Sequence, residues 1–197
     1  MGPLDEIVAF VEGRTSLPDF VRRTQENRAL EAVLEENATI RPYTDAGNLM
    51  IYLLQQDWSS LAAQVSIQDA LSRFLHAKGR PHVVDTSRLQ FYEAVLANTP
   101  AWLQLPEFFV DRIAEIATGL PDRKTLGAMI KNEIAASFRY LKKPPKWLQS
   151  PSWPCFENRP LLFVGQMDLG DLMHDKAQAY LFFDNVRAEA RTFIQVA

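Results

Sequence analysis

The chain of 197 residues is poor in the features that announce chemistry. It has one cysteine, Cys155, so no intramolecular disulfide can form and an oxidising compartment offers no advantage. Its eight glycines are dispersed, and none falls into a G-x-G-x-x-G or G-x-x-x-x-G-K-[ST] pattern that would cradle a phosphate. The three histidines, His76, His82 and His174, are scattered and stand apart from Cys155, so no metal-ligand spacing is present and no metal or other cofactor is expected. There is no basic excess: the formal net charge is -3, which argues against a partner that is bound by neutralising nucleic-acid phosphates. No apolar run approaches the roughly 20 residues a membrane-spanning helix requires, so no membrane partner is expected. The opening Met1-Gly-Pro-Leu-Asp-Glu6 is not a basic segment followed by an apolar one, and Pro3 and Glu6 depart from the myristoylation pattern. Cytoplasmic residence is the expectation.

What the chain does have is helical periodicity for about three-quarters of its length. Apolar residues at Leu4, Ile7, Val8 and Val11 share one helical face, with Gly13 as the stop. Ser16 reads as the cap of a second helix with Pro18 in its first turn, and Leu30, Val33 and Leu34 mark a third over Arg28 to Glu36. Glu26, Glu31, Glu35 and Glu36 make the outer surface there acidic. Asn48 to Gln56 is apolar on all sides; periodicity does not decide between helix and strand, and helix is preferred. Ser66-Ile-Gln-Asp69 has the form of a capping box before a helix that stops near Gly79. Further helices are predicted over Thr86 to Asn98 with Leu89, Tyr92, Val95 and Leu96 inward, and from Pro106 to Gly119 with Phe108, Phe109, Ile113 and Ile116 inward. The longest prediction is Thr125 to Lys143, its Arg139, Lys142 and Lys143 suiting the negative end of the helix dipole.

The chain changes character at Pro144. Pro144, Pro145, Pro151, Pro154 and Pro160 forbid a continuous helix, and the runs Leu161 to Leu169 and Ala179 to Asp184 read as buried strands. Arg187 to Val196 reads as a third strand or a closing helix. The expected class is α+β, with a mostly helical N-terminal three-quarters packed on a small antiparallel C-terminal β-sheet. The division is residues 1–143, helical, and 144–197, a proline-rich segment and sheet region that does not fold alone, since a two-stranded sheet is marginal in water.

No nucleophile on a strained turn and no paired carboxylates at acid/base spacing are visible, so an enzyme is not expected. Cys155 reads as a small buried hydrophobe, and Trp147, Trp153, Phe156, Phe163, Phe182 and Phe183 as core. The segment Arg123 to Lys146, with seven Lys or Arg and the aromatics Tyr140 and, just after it, Trp147, is the best case for nucleic acid, weakened by the acids Asp122 just before it and Glu133 within it.

Two stretches resemble known families. Pro145-Lys-Trp-Leu-Gln-Ser-Pro-Ser-Trp-Pro154, Arg159-Pro-Leu-Leu-Phe-Val-Gly-Gln-Met-Asp-Leu169 and Ala179-Tyr-Leu-Phe-Phe-Asp184 resemble the YwqG-like family of bacterial proteins of unknown function, over about the last quarter of the chain. Where that family has a glycine opening the final strand, this chain has Gln178-Ala179. The first half is similar to small immunity proteins encoded beside polymorphic or type VI secretion toxins, through Phe10-Val-Glu-Gly13, Ser16-Leu-Pro-Asp-Phe20, Leu30-Glu-Ala-Val-Leu34, Asn48 to Leu54 and Ala70-Leu-Ser-Arg-Phe-Leu75. The resemblance implies an antitoxin-like protein whose partner is a cognate toxin or effector domain, with its active site blocked in the complex. Acids on loops and outer faces would steer a basic partner, which selects Glu35, Glu36, Asp45, Asp57 and Asp85, with Trp58 as an anchor. The competing expectations are a small enzyme or ligand-binding protein with a pocket between the helices and the C-terminal sheet, lined by Trp147, Trp153 or His174, and an adaptor exposing a large apolar patch.

Overall fold

The computed structural model describes residues 2–36, 38–45, 47–117, 122–170 and 172–197. Among them are eight helices followed by five strands, so the chain is α+β with its sheet strands in the C-terminal part. Two compact units divide at Tyr92/Glu93. The change from helix to strand near residue 143 thus lies inside the second unit.

The first unit, Met1–Tyr92, is helical. Helix α1 (Pro3–Val11) starts with proline at its first position, and the Asp5 carboxylate accepts the Gly2 N–H at 3.0 Å. Ser16 caps α2 (Leu17–Glu26) by accepting the Asp19 N–H at 3.2 Å. Asn27 caps α3 (Arg28–Glu35) and also donates to the Glu6 carboxylate at 2.9 Å, tying the α2–α3 corner to α1. Helix α4 (Leu49–Leu54) is capped by Asn48, as the helical reading of that apolar stretch expects. Helix α5 (Leu61–Ala77) begins five residues ahead of the expected capping box. Ser66 lies within its body and donates to the Ala62 carbonyl at 3.0 Å, a bond by which a hydroxyl is satisfied inside a helix. The core joins Ile7, Phe10 and Val11 of α1 to Phe20, Leu30, Leu34, Leu49, Leu53, Leu71 and Phe74, with Phe10 and Phe20 stacked at 4.5 Å.

Helix α6 (Ser87–Asn98) buries Ala94 and Val95, whereas Leu89 and Leu96 are 40% and 57% exposed. Periodicity names a stripe; whether a neighbour covers it depends on the rest of the fold.

The second unit, Glu93–Ala197, carries α7 (Glu107–Ala117), α8 (Arg123–Ser137) and all five strands. Phe109 and Ile113 of α7 are buried, but Ile116 is exposed; the stop expected at Gly119 lies outside the described residues. Asp122 caps α8, accepting the Lys124 and Thr125 N–H groups at 2.8 and 2.9 Å. That helix ends at Ser137, well short of Lys143, so Arg139, Lys142 and Lys143 lie beyond it and do not complement its dipole. The cause is non-local: Phe163 donates to the Arg139 carbonyl at 2.9 Å and Leu141 to the Phe163 carbonyl at 3.1 Å, drawing residues 139–141 out of the helix to pair with a strand. Leu141 is 61% exposed.

Strands β1 (Cys155–Phe156) and β2 (Arg159–Pro160) form a short hairpin whose turn residues Glu157 and Asn158 have φ of 50° and 58°. Strands β3 (Leu162–Asp168), β4 (Ala177–Asp184) and β5 (Glu189–Val196) form an antiparallel sheet in the order β3-β4-β5. Of the stretch 187–196, left open between strand and helix, residues 189–196 are strand and 187–188 belong to the turn before it. Tyr180, Phe182 and Asp184 of β4 are buried while Leu181 between them is exposed, the alternation a one-sided sheet requires. An aromatic core runs through Phe109, Phe138, Trp153, Phe163 and Phe182.

Candidate partner-binding surface

The six residues singled out from sequence all fall in the first unit, at the end of α3, before α4, in the α4–α5 turn and before α6. Two of the acids are occupied locally. Asp57 accepts the Ser59 hydroxyl at 2.5 Å and the Ser59 N–H at 3.1 Å, and these bonds hold its carboxyl below the usual range. Asp85 accepts the Ser87 N–H at 3.0 Å and the Ser87 hydroxyl at 2.9 Å, tying down the start of α6. Its backbone is fixed too: its N–H donates to the Val11 carbonyl at 2.9 Å, and its carbonyl accepts from Gln68 at 2.8 Å. Asp85 is therefore a structural residue first. Glu36 pairs with Lys78, and Asp45 lies 3.9 Å from Arg41, while Trp58 is half-buried against the core.

Glu35 differs. It is exposed and has no ion pair or hydrogen bond among the described residues; the same holds for Glu26 at the end of α2 and for Glu31, partly exposed on α3. Uncommitted carboxylates keep their full field for a partner. The field has a location as well: residues 1–92 carry nine Lys or Arg against twelve Asp or Glu, a net of -3, whereas residues 93–197 carry twelve of each.

Other constellations serve the fold. Ser72 Oγ lies 2.8 Å from His82 Nε2, and His82 Nδ1 lies 3.0 Å from the Arg80 carbonyl oxygen. This is a hydroxyl, an imidazole and an orienting acceptor in series, which scattered histidines did not reveal in the sequence. Ser72, however, sits in the body of α5, where backbone N–H groups are already donated to carbonyls four residues back, so an oxyanion would find no backbone donors. The contact instead straps the 80–85 connection to α5. Tyr43 donates to the Asp69 carboxylate at 2.5 Å, Asp69 also accepts from Arg73 at 2.8 Å, and burial together with Asp69 pushes the Tyr43 phenol up. Among the described residues no three His, Cys, Asp or Glu side chains are grouped so as to hold a metal ion, and no helix is long and apolar enough to cross a membrane.

No family model, curated protein or solved structure matches the chain. The likeness to immunity proteins and to the YwqG-like family thus rests on the residues quoted for it alone.

In the second unit, burial pushes the Cys155 thiol up to about 11. At neutral pH, iodoacetamide is expected to alkylate Cys155 about a hundredfold more slowly than an exposed cysteine titrating two units lower, with the rate still climbing above pH 10. A rate equal to that of free cysteine would show that the thiol is not buried in solution. The pocket residues expected from sequence lie elsewhere than expected. Trp153 is a core residue at 6% exposure, Trp147 donates to the Trp102 carbonyl at 2.7 Å, and His174 is exposed. A cavity of about 670 Å³ lies between α8 and β3 but is lined by others, among them Asn98, Trp102, Lys131, Phe138, Arg139 and Tyr140. Lys131, Arg139 and Tyr140 belong to the basic segment noted in the sequence; Trp102 and Asn98 reach it only through the fold.

Proposed function

We propose that this chain is an immunity-type binding protein that neutralises a cognate bacterial toxin or effector domain by laying the acidic α2–α3 surface over that domain's active site. The observation that carries this reading is the set of carboxylates on Glu26, Glu31 and Glu35, unpaired among the described residues, in the unit that holds the whole net negative charge. A basic toxin, such as a nuclease effector, is the partner such a field attracts, and steering raises the association rate more than it lengthens the complex's life. Glu35 stays from the set read in the sequence, with Glu36 beside it already neutralised in part by Lys78. Asp57 and Asp85 drop out as primary contacts because their carboxylates hold turns together.

Stopped-flow association with the purified cognate toxin domain tests the reading. The triple variant E26K/E31K/E35K is expected to associate about 10- to 100-fold more slowly at low ionic strength, with the gap closing as salt is added. An unchanged rate in the folded variant would remove this surface from the interface.

A further inference from the structure

Beyond toxin binding, we propose that the cavity between α8 and β3 is a binding site for a nucleoside monophosphate group, carried by a free nucleotide or by the end of a single strand. Its floor is apolar, with Ile134 and Phe138 buried beneath it, and its volume of about 670 Å³ lies within the range of small-molecule sites. Its rim is aromatic and cationic. Trp102 and Tyr140 meet edge to face at 5.8 Å, and Tyr140 is 40% exposed, leaving ring surface for a flat group to stack upon.

These groups are held in place before any ligand arrives. Trp147 anchors the Trp102 backbone through the 2.7 Å bond to its carbonyl. Pairing with Phe163 on both sides of Tyr140 fixes the backbone from which the Arg139 and Tyr140 side chains project. Lys131 and Arg139 have no acidic partner among the described residues, and Glu133, the acid within α8, is engaged by Arg112 at 2.6 Å. A second groove shares Lys131 and Asn98 with the cavity and continues along Arg123 and Lys124, so cationic charge extends past the mouth. Arg123 lies 3.8 Å from Glu93, which leaves Lys124, Lys131 and Arg139 as the cations without an acidic partner among the described residues, and three cations suit a doubly charged phosphate better than a single carboxylate. Asn98 supplies the remaining polarity: its amide nitrogen donates to the Ala94 carbonyl at 2.7 Å, and its side-chain oxygen is left to accept from an exocyclic amine of a base.

Isothermal titration of the full chain with adenosine 5′-monophosphate, adenosine, inorganic phosphate and a 5′-phosphorylated hexamer of deoxyadenosine tests this. The monophosphate is expected to saturate the site at least about tenfold more tightly than adenosine or phosphate alone. In K131A/R139A, whose substituted residues are exposed, monophosphate affinity is expected to fall about 10- to 100-fold with adenosine unaffected. Y140A is expected to weaken monophosphate and adenosine alike, by about tenfold. A hexamer bound at least about tenfold more tightly than the monophosphate, with steep salt dependence, identifies a strand end as the source, and equal or weaker hexamer binding a free nucleotide. No saturable binding at millimolar monophosphate, phosphate alone binding as well as the nucleotide, or affinity unchanged in folded K131A/R139A would each overturn the proposal.

Discussion

Replacing Trp153 with alanine is expected to destabilise the second unit by about 3 to 5 kcal/mol, the upper range for a single core truncation. The indole is 6% exposed and lies against four rings, with centroids at 5.5 Å from Trp102, 5.6 Å from Phe138, 6.2 Å from Phe163 and 5.4 Å from Phe182. Removing it leaves all four facing a void too large to close by small shifts, and each loses its contacts on that side. It also strips a donor: the Trp153 N–H bonds the Leu161 carbonyl at 2.9 Å, just before β3. Trp153→Phe separates the two contributions, since it keeps most of the packing and loses the bond, at an expected cost of about 1 to 3 kcal/mol. Urea denaturation followed by hydrogen exchange over residues 93–197 reads both. A loss below about 1 kcal/mol for the alanine variant would show that the aromatic cluster is not organised around this ring.

Gly13→Ala is expected to cost about 2 to 4 kcal/mol, a large penalty for adding one methyl group at an exposed position. Gly13 has φ of +74°, where an L side chain is strained, and its N–H donates to the Phe10 carbonyl at 3.0 Å as the chain leaves α1. A β-carbon there would meet the Asp85 carboxylate oxygen at 2.5 Å. That carboxylate holds Ser87, so relieving the clash loosens the start of α6. Asp85→Ala opens the space but loses those bonds, so G13A/D85A is expected to recover only part of the stability. Thermal unfolding of the three variants measures this; a G13A chain as stable as wild type would mean that the α1 exit adopts another conformation.

The fold was legible at most positions where the signal was local, the exception being the capping-box form of Ser66-Ile-Gln-Asp69, which falls inside α5. Ser16 and Gly13 act as the cap and the stop that their residue types and positions suggest, because a cap is decided within three or four residues. Elsewhere the outcome was decided from a distance. The end of α8, expected at Lys143, is set by Phe163, more than twenty residues downstream, and the choice left open between strand and helix over 187–196 is made for residues 189–196 by pairing with β4; neither partner is visible in a local window. At the candidate site the reverse occurred. Asp57-x-Ser59 and Asp85-x-Ser87 carry their own explanation, an aspartate bonding a backbone N–H two residues on, and that pattern alone marks them as turn-forming rather than free. Glu26 and Glu31 were visible as an acidic surface, but only the coordinates separate them and Glu35, which are unpaired, from Glu36, which is paired. Trp102 joins Tyr140 at the cavity because an intervening helix pair returns the chain there, which no spacing in the sequence encodes.

Affinity capture with the tagged full chain from its native cells, wild type beside E26K/E31K/E35K, tests most directly whether the unpaired acids of α2 and α3 dock a toxin. The predicted result is one stoichiometric partner with a basic toxin or effector domain on the wild-type chain, lost from the folded variant. A wild-type chain that retains no stoichiometric partner, or a partner held equally by the variant, would contradict it.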